Sequence, residues 1–412
     1  MSRALRASLS SLAVANFRRY FAGQTISLAG TWMQTVAETW LVLRLTGSGV
    51  ALGISTALQF APVLVAGAWG GLLADRIDKR RLLTITQTLM ALPALTLWVL
   101  TAFGHVELWQ VFALIFARGA VNAVDNPARQ SFVMEMVGRD RVVNAVSVNS
   151  VLVQTARIAG PALAALVIAT VGVATCFLLN ALSFGAMLTA LRRMDPGQLH
   201  RGPVSPRGRG QLREALRVVA TTPALRTPLL LMAVVGTLSF NFTVVLPLLA
   251  RFTLHGDAST YALLTSVMGA GAIVGALRNG ARARVSPAVL GGAAMSFGAG
   301  LAAAAIAPSL VTVLIALLVV GASSVTFAAS VNASLQLAAA PELRGRVMAL
   351  YAVVFLGSTP IGGPLVGWLS EAEGPRAGLA VGALAALGAG LWVAARGARR
   401  PAPAGATATS GA

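Results

Sequence analysis

The fold is indicated by a short segment that places acids and bases between two long apolar runs. Its sequence is Gly71-Leu72-Leu73-Ala74-Asp75-Arg76-Ile77-Asp78-Lys79-Arg80-Arg81. The runs cover 49–74 and 81–103, and each is long enough for a membrane-spanning helix of about 20 residues. The charged stretch therefore predicts a short connection between two antiparallel spans. Its glycine permits close helix approach, and its acid can pair across helices or meet a helix N-terminus. The simpler alternative is that the bases only fix topology.

The composition points the same way along the whole chain. Of 412 residues, 56% are hydrophobic and only 11% are charged, whereas a soluble globular chain carries about 25% charged residues. This excludes a cytosolic enzyme, a disordered protein and a secreted disulfide scaffold, and Cys176, the single cysteine, has no partner for an intrachain disulfide. The sequence predicts an all-α integral membrane protein.

Twelve segments have the length and polarity of spans. They are 18–44, 49–74, 81–103, 108–131, 142–170, 172–193, 223–250, 259–280, 286–306, 308–336, 346–370 and 376–395. A polar, arginine-rich insert at 195–222 divides them into six and six. We therefore predict an N-terminal six-helix bundle (1–194), a cytoplasmic linker (195–222), a C-terminal six-helix bundle (223–396) and a disordered tail (397–412).

The net charge of +19 is explained by topology rather than by nucleic-acid binding. With the N-terminus inside, 27 of the 32 basic residues face the inner side of the membrane, as the positive-inside rule requires. We expect a multi-pass protein of the cell inner membrane with both termini cytoplasmic. Lys79, the only lysine, is not in a Gly-Lys-Ser/Thr step, so no P-loop is predicted. The arginine-rich insert is expected to be a solvated linker, with anionic lipid headgroups as the alternative partner.

The two halves repeat weakly. Gly71 at the end of the second span corresponds to Gly275 at the end of the eighth, and Gly160-Pro161 in the fifth corresponds to Gly363-Pro364 in the eleventh, at offsets of 204 and 203 positions. Repeats of this kind are typical of secondary transporters, whose substrate site lies between the repeats.

Polar residues inside the spans recur every three or four positions, which places each set on one helix face. Such a face is costly against lipid, so we expect it to line a cavity within the bundle. The stripes are Gln24, Ser27, Thr31, Gln34 and Glu38 in span one; Arg118, Asn122, Asp125 and Arg129 in span four; Ser147, Ser150, Gln154, Arg157 and Pro161 in span five; and Ser323, Thr326, Ser330 and Ser334 in span ten. Span seven contributes a weaker stripe that includes Asn241. For span ten, hydroxyl groups bonded to their own backbone are an equally good explanation.

Four ionisable residues within the spans stand out: Glu38, Arg118, Asp125 and Arg157. Arginines without a nearby acid would suit an anionic substrate group, whereas arginines paired with Glu38 or Asp125 would be structural or part of a proton relay. A carboxylate that alternates between low dielectric and water can take up and release a proton. We predict that Glu38 is the proton-coupling residue, with Asp125 as the second candidate.

The segment 71–81 resembles the signature loop of the major facilitator superfamily, Gly-x-Leu-Ala-Asp-Arg-x-Gly-Arg-Arg/Lys. Gly71, Asp75, Arg76, Lys79 or Arg80, and Arg81 match it together with Leu73 and Ala74, and Asp78 replaces the second glycine. Arg118-Gly119 resembles the arginine motif of span four, and Gly160-Pro161 resembles the element that marks span five of antiporters. The resemblance implies that Asp75 caps span eleven and that Arg76 pairs with an acid in span four, for which Asp125 is the candidate.

Three further segments are similar in sequence to the macrolide-efflux and enterobactin-exporter branch of that superfamily: Trp40-Leu41-Val42, Leu45-Thr46-Gly47-Ser48 and Arg344-Gly345-Arg346-Val347-Met348. This implies a monomeric, proton-driven exporter of small organic compounds that works by alternating access, with no cofactor. Macrolide-like drugs and catecholate siderophores remain equally open as substrates. The alternatives are a lipid translocator on the same fold and a non-transporting membrane sensor.

Overall fold

The computed structural model describes residues 10–200, 211–280, 286–340 and 343–398, and this part of the chain is helical. The first half contains α1 (Ala15–Thr46), α2 (Gly49–Arg76), α3 (Lys79–Ala102), α4 (Leu108–Val137), α5 (Val142–Val171) and α6 (Val173–Arg192). A linker helix, Gln211–Thr221, follows. The second half contains α7 (Pro223–Ser239 and Phe242–Leu248), α8 (Ala258–Gly280), α9 (Pro287–Ile306), α10 (Leu310–Ala338), α11 (Arg344–Ala372) and α12 (Pro375–Ala398).

Short polar turns separate the helices because their residues satisfy the helix ends. Gly47 ends α1 in the left-handed conformation, at φ 66°, which glycine adopts without strain. Ser48 caps α2 through the Ala51 amide, and Asp78 caps α3 through the Arg81 amide. Asp78, which replaces the glycine of the signature loop, is therefore a helix cap with an ordinary negative φ of −52°.

Ten of the described helices are long and apolar enough to cross a membrane. The other two long helices, α1 with 32 residues and α4 with 30, carry more polar residues along their length. α7 is not the continuous helix that the sequence predicted. It breaks at Phe240 and Asn241 and resumes at Phe242, before a π turn at Leu249–Thr253.

Helix neighbours repeat with an offset of six. In the first half α1 packs against α6, α2 against α4, and α3 against α4 and α6; in the second half the matching contacts are α7–α12, α8–α10, α9–α10 and α9–α12. Within the second half, Gly271 and Gly275 bring α8 close to α10, since an added Cβ would lie 2.0 Å from the Leu318 carbonyl oxygen and 2.2 Å from that of Ala322. Gly271 and Gly275 therefore serve close packing between α8 and α10.

The halves meet mainly through α2 against α11 and α5 against α8. α2 and α11 approach closely because glycine faces glycine. An added Cβ at Gly49 would lie 2.4 Å from the Gly367 carbonyl oxygen, and one at Gly53 would lie 2.5 Å from that of Gly363. These contacts close the seam at the end of the bundle where α1 ends and α2 begins.

The linker helix packs against α7 and α11. It buries Val219 and exposes Leu216 and Arg217. Arg201, Arg207 and Arg209 of the predicted linker, and the tail from 399 onward, lie outside the described residues.

Candidate functional site

Glu38 and Arg118 form an ion pair in the interior of the first half. An Arg118 guanidinium nitrogen, Nη2, donates to Glu38 Oε2 at 2.5 Å and joins α4 to α1. Only 3% of Glu38 and 6% of Arg118 is exposed. Because a buried charge is costly without a partner, each of these two side chains holds the other in place. Arg118 Nε has no hydrogen-bond partner among the described residues.

The pair belongs to a longer buried hydrogen-bond chain. Gln34 Nε2 donates to Glu38 Oε1 at 2.6 Å, and the amide of Asn180 donates to Gln34 Oε1. Ser183 then donates to Asn180 Oδ1 at 3.0 Å. Gly30 makes room for this chain, since an added Cβ there would lie 2.5 Å from Ser183 Oγ. The chain therefore connects α1, α4 and α6 through polar groups that satisfy one another.

Asp125 is the centre of a second buried network. Its Oδ1 accepts from Thr86 Oγ1 at 2.5 Å and from Gln87 Nε2 at 2.8 Å, and its Oδ2 accepts from Arg129 one turn later. Arg129 also donates to Gln24. Asp125 is 1% exposed, so this network ties α3 and α4 to α1 through one carboxylate.

Three members of the span-one stripe lie in the interior of the first half, and their assignment to a cavity stays a prediction. Gln24, Ser27 and Gln34 are buried, and Gln24 and Gln34 bond to residues of α4 and α6 inside the first half. A helix in a two-bundle protein has two polar environments available, the passage between bundles and the interior of its own bundle. The three-to-four spacing is the same for both, so the stripe alone does not choose between them.

Thr31, Asn122, Gln154 and Arg157 are half-buried, so their assignment to a cavity stays a prediction. Asn241 is buried at the break in α7. It donates to the Thr237 carbonyl oxygen at 2.7 Å, and its own Oδ1 has no partner among the described residues. Asn241 therefore replaces a backbone hydrogen bond at the break.

Arg157 lies against the face of Trp32, with its guanidinium carbon 5.4 Å from the ring centroid. This is a cation–π contact between α5 and α1. One turn further along α5, an added Cβ at Gly160 would lie 2.4 Å from Trp32 Cβ and 2.8 Å from the Ala29 carbonyl oxygen. Gly160 is thus the position at which α1 and α5 approach, and Pro161 follows it within the helix.

The bases of the signature loop are anchored inside the first half. Lys79 pairs with Glu135 at 2.6 Å, and Arg80 donates to the carbonyl oxygens of Leu191 and Arg192 at the end of α6, at 2.7 and 3.0 Å. A guanidinium at a helix C-terminus satisfies free carbonyl groups and complements the helix dipole.

The predicted pair between Arg76 and Asp125 does not form. Asp125 bonds to Arg129, Thr86 and Gln87, while Arg76 and Arg81 are exposed. The reason is that Arg129, four residues away on the same helix, already neutralises the buried carboxylate. The Asp75 side chain and the surroundings of Gly71 lie outside what the structure describes, so the cap on span eleven stays a prediction.

Two charged side chains of the second half hold the α1–α2 hairpin at the closed seam. Glu371 of α11 accepts from Ser48 Oγ at 2.6 Å and from the Val50 amide at 3.0 Å, at the N-terminus of α2. Arg251 donates to the Leu43 carbonyl oxygen at 2.7 Å, at the C-terminus of α1. Each charge has the sign that its helix end favours. We call these two contacts the hairpin clamp.

Sequence reasoning missed Asn180, Trp32 and the hairpin clamp. Asn180 and Ser183 are polar residues three apart in the middle of a largely apolar span, which was the available signal. Glu371 and Arg251 lie near span ends, where charges are common, so no pattern distinguishes them. Among the described residues, no group of three or more His, Cys, Asp and Glu side chains is placed to hold a metal ion.

The helical architecture, with ten described helices long and apolar enough to cross a membrane, defines a multi-pass membrane protein. The family of transmembrane secretion effectors matches residues 6–405, so the chain belongs to this family of major facilitator proteins. Members of this superfamily are transporters rather than enzymes, and similar proteins handle small molecules.

Two relatives illustrate the range of proteins to which the chain is similar. The chain is 28% identical over 361 residues to the multidrug efflux pump Tap of Mycolicibacterium fortuitum, covering 85% of this chain and 88% of Tap. It is 27% identical over 268 residues to the staphyloferrin A transporter of Staphylococcus aureus, covering 63% of this chain and 65% of that protein.

Solved structures agree in fold. The nucleoside transporter NupG superimposes with a TM-score of 0.74 at 12% identity, covering 93% of this chain and 100% of NupG. A bacterial homolog of the human lysosomal transporter Spinster, inward-facing and unoccupied, gives 0.71 at 14% identity, covering 93% of this chain and 95% of that one.

Proposed function

We propose that this protein exports small organic compounds across the plasma membrane in exchange for protons, by alternating access and without a cofactor. In this proposal α1 and α4 also cross the membrane, which makes twelve spans in two bundles, 1–194 and 223–396, with both termini cytoplasmic. The arginine bias of the loops supports that orientation. The closed seam at the hairpin clamp then lies on the outer side.

The observation that carries the proposal is the buried pair of Glu38 and Arg118. A proton on Glu38 removes the charge that Arg118 needs, and the cost of an unpaired guanidinium then favours a rearrangement of α1 and α4. The donor from Gln34 holds the carboxylate in position for this exchange. Because the pair is almost fully buried at 3% and 6% exposure, proton exchange requires another conformation of the protein, as alternating access demands.

The relatives support two substrate classes. One relative is a staphyloferrin A transporter and another is a multidrug efflux pump, and a family shared with both supports a partly apolar substrate with several polar groups. The half-buried residues Thr31, Asn122 and Gln154 are proposed to contact it. We propose that a monomer performs the cycle, because each bundle supplies one wall of the passage.

The experiment is uptake by inverted membrane vesicles with an acidified lumen. Wild-type protein should accumulate an exported drug only while the proton gradient is present, and Glu38→Gln should abolish this while the protein still folds. Glu135→Gln is the matched control, because it also removes a paired glutamate but lies beside Lys79 at the end of α4. Gradient-driven uptake at the wild-type rate by Glu38→Gln would remove Glu38 from the coupling mechanism.

A further inference from the structure

We propose that Arg157 binds an anionic group, such as a carboxylate, of the transported compound. This inference rests on the proposed function and names the class of substrate. It begins from an imbalance of charge in the middle of the membrane-spanning helices.

Three arginines lie within spans and away from the helix ends: Arg118, Arg129 and Arg157. The sequence has 13 acidic residues, and only Glu38 and Asp125 lie at comparable depth in a helix. Glu38 pairs with Arg118, and Asp125 pairs with Arg129. The other acids that the structure describes lie in turns or near helix ends. Within the described residues, therefore, no carboxylate neutralises Arg157.

The described contacts of Arg157 do not replace the missing acid. Its guanidinium lies over the Trp32 ring and makes no hydrogen bond to any other described residue. A guanidinium remains protonated in proteins and offers five N–H donors in a planar fork. Contact with an aromatic ring stabilises the cation, but it leaves those donors at the edge of the fork available for a two-point contact with a carboxylate.

Arg157 points away from the exposed face of α5 that runs from Val151 to Leu166. Val146 and Ser150, nearer the start of α5, are exposed on the same side as Arg157, and a separate exposed face is formed by Val151, Thr155, Ala162 and Leu166 at about 100° per residue. Arg157 lies roughly opposite that face, on the side where Gly160 and the fully buried Ala164 pack inside the protein.

The backbone of α5 at Arg157 also lies close to the seam between the halves. An added Cβ at Gly269 of α8 would lie 2.7 Å from Ile158 Cγ1 and 3.6 Å from the Arg157 carbonyl oxygen. In a protein built from two repeats, this seam is where the substrate binds. The unpaired charge is thus placed where a bound anion can reach it, with the flat face of Trp32 beside it for an apolar portion of the same molecule.

The test compares two dyes that share a xanthene core. Fluorescein carries a carboxylate, whereas rhodamine 123 is a cation in which that carboxylate is esterified. Uptake of each dye is measured in inverted vesicles with and without the proton gradient, and binding is measured by fluorescence polarisation with purified protein, which needs no gradient. The variants are Arg157→Gln and Arg157→Lys, with Arg141→Gln, an exposed arginine before α5, as the matched control.

We expect wild-type protein to bind and accumulate fluorescein in preference to rhodamine 123. Arg157→Gln should weaken fluorescein binding by about tenfold or more, as loss of a charge-assisted hydrogen bond requires, and should leave rhodamine 123 unchanged or improved. Arg157→Lys should retain most of the preference, and Arg141→Gln should match wild type.

Two results would overturn the inference: a wild-type preference for rhodamine 123, or unchanged fluorescein binding in Arg157→Gln. The proposed function fails separately. If the dyes bind with the expected charge preference but no uptake follows the proton gradient, Arg157 is an anion site in a protein that does not exchange protons. If uptake follows the gradient without any charge preference, only the anion site is lost.

Discussion

The pair of Glu38 and Arg118 should dominate the stability of the first half, and a double-mutant cycle measures this directly. Arg118→Gln leaves a carboxylate that is 3% exposed without its cation, and breaking a buried pair from one side costs about 3–5 kcal/mol. The double variant Glu38→Gln/Arg118→Gln has no uncompensated charge and loses only neutral hydrogen bonds, at about 1 kcal/mol each. The double variant should therefore be more stable than Arg118→Gln alone, and the coupling should reach about 2 kcal/mol.

Cys176 provides the assay. It is the only cysteine of the sequence and is fully buried in α6, so a thiol-reactive dye labels it when the protein unfolds in detergent. Lys79→Gln is the control, because the pair of Lys79 and Glu135 lies at a helix end with side chains 15% and 12% exposed and should contribute about 1 kcal/mol or less. If Arg118→Gln unfolded with the wild type, or if the double variant were as unstable as the sum of the single variants, the pair would not hold α1 to α4.

Two further predictions use the helix contacts. Gly160→Ala should destabilise the protein, because the new Cβ would lie 2.4 Å from Trp32 Cβ. Gly185→Ala is the control: an added Cβ there meets nothing within 4 Å, so the substitution should stabilise the protein by up to about 1 kcal/mol. Equal shifts of the melting temperature for both variants would show that α1 and α5 are not in close contact. Glu371→Gln keeps an acceptor for Ser48 Oγ but removes the negative charge of the hairpin clamp, so it should lower the population of the state in which the seam is closed. Cross-linking of cysteines introduced on either side of the seam should therefore fall. Undiminished cross-linking would show that the charge does not hold the seam closed.

The sequence predicts which residues form the site, but it does not predict which side chains bond to one another. Glu38, Arg118, Asp125 and Arg157 are identifiable because charges are rare in spans. Which arginine each acid neutralises depends on how far apart the helices lie and how they are rotated. Asp125 was expected to bond to Arg76 across the bundle, yet Arg129 on its own helix is nearer. Likewise Gln24 and Gln34 satisfy the same spacing whether they face the passage or their own bundle.

The order and approximate limits of the helices follow from the sequence alone, because only a helix satisfies every backbone polar group over about 20 apolar residues in lipid. Gly47, Ser48 and Asp78 likewise mark the helix ends through their own local geometry. Tertiary structure decided the break in α7, the hydrogen-bond chain from Arg118 to Ser183 and the isolation of Arg157, since each depends on side chains that are far apart in the sequence. The spacing of residues along a helix determines which face of that helix each side chain occupies. Only the packing of several helices determines which side chains that face contacts.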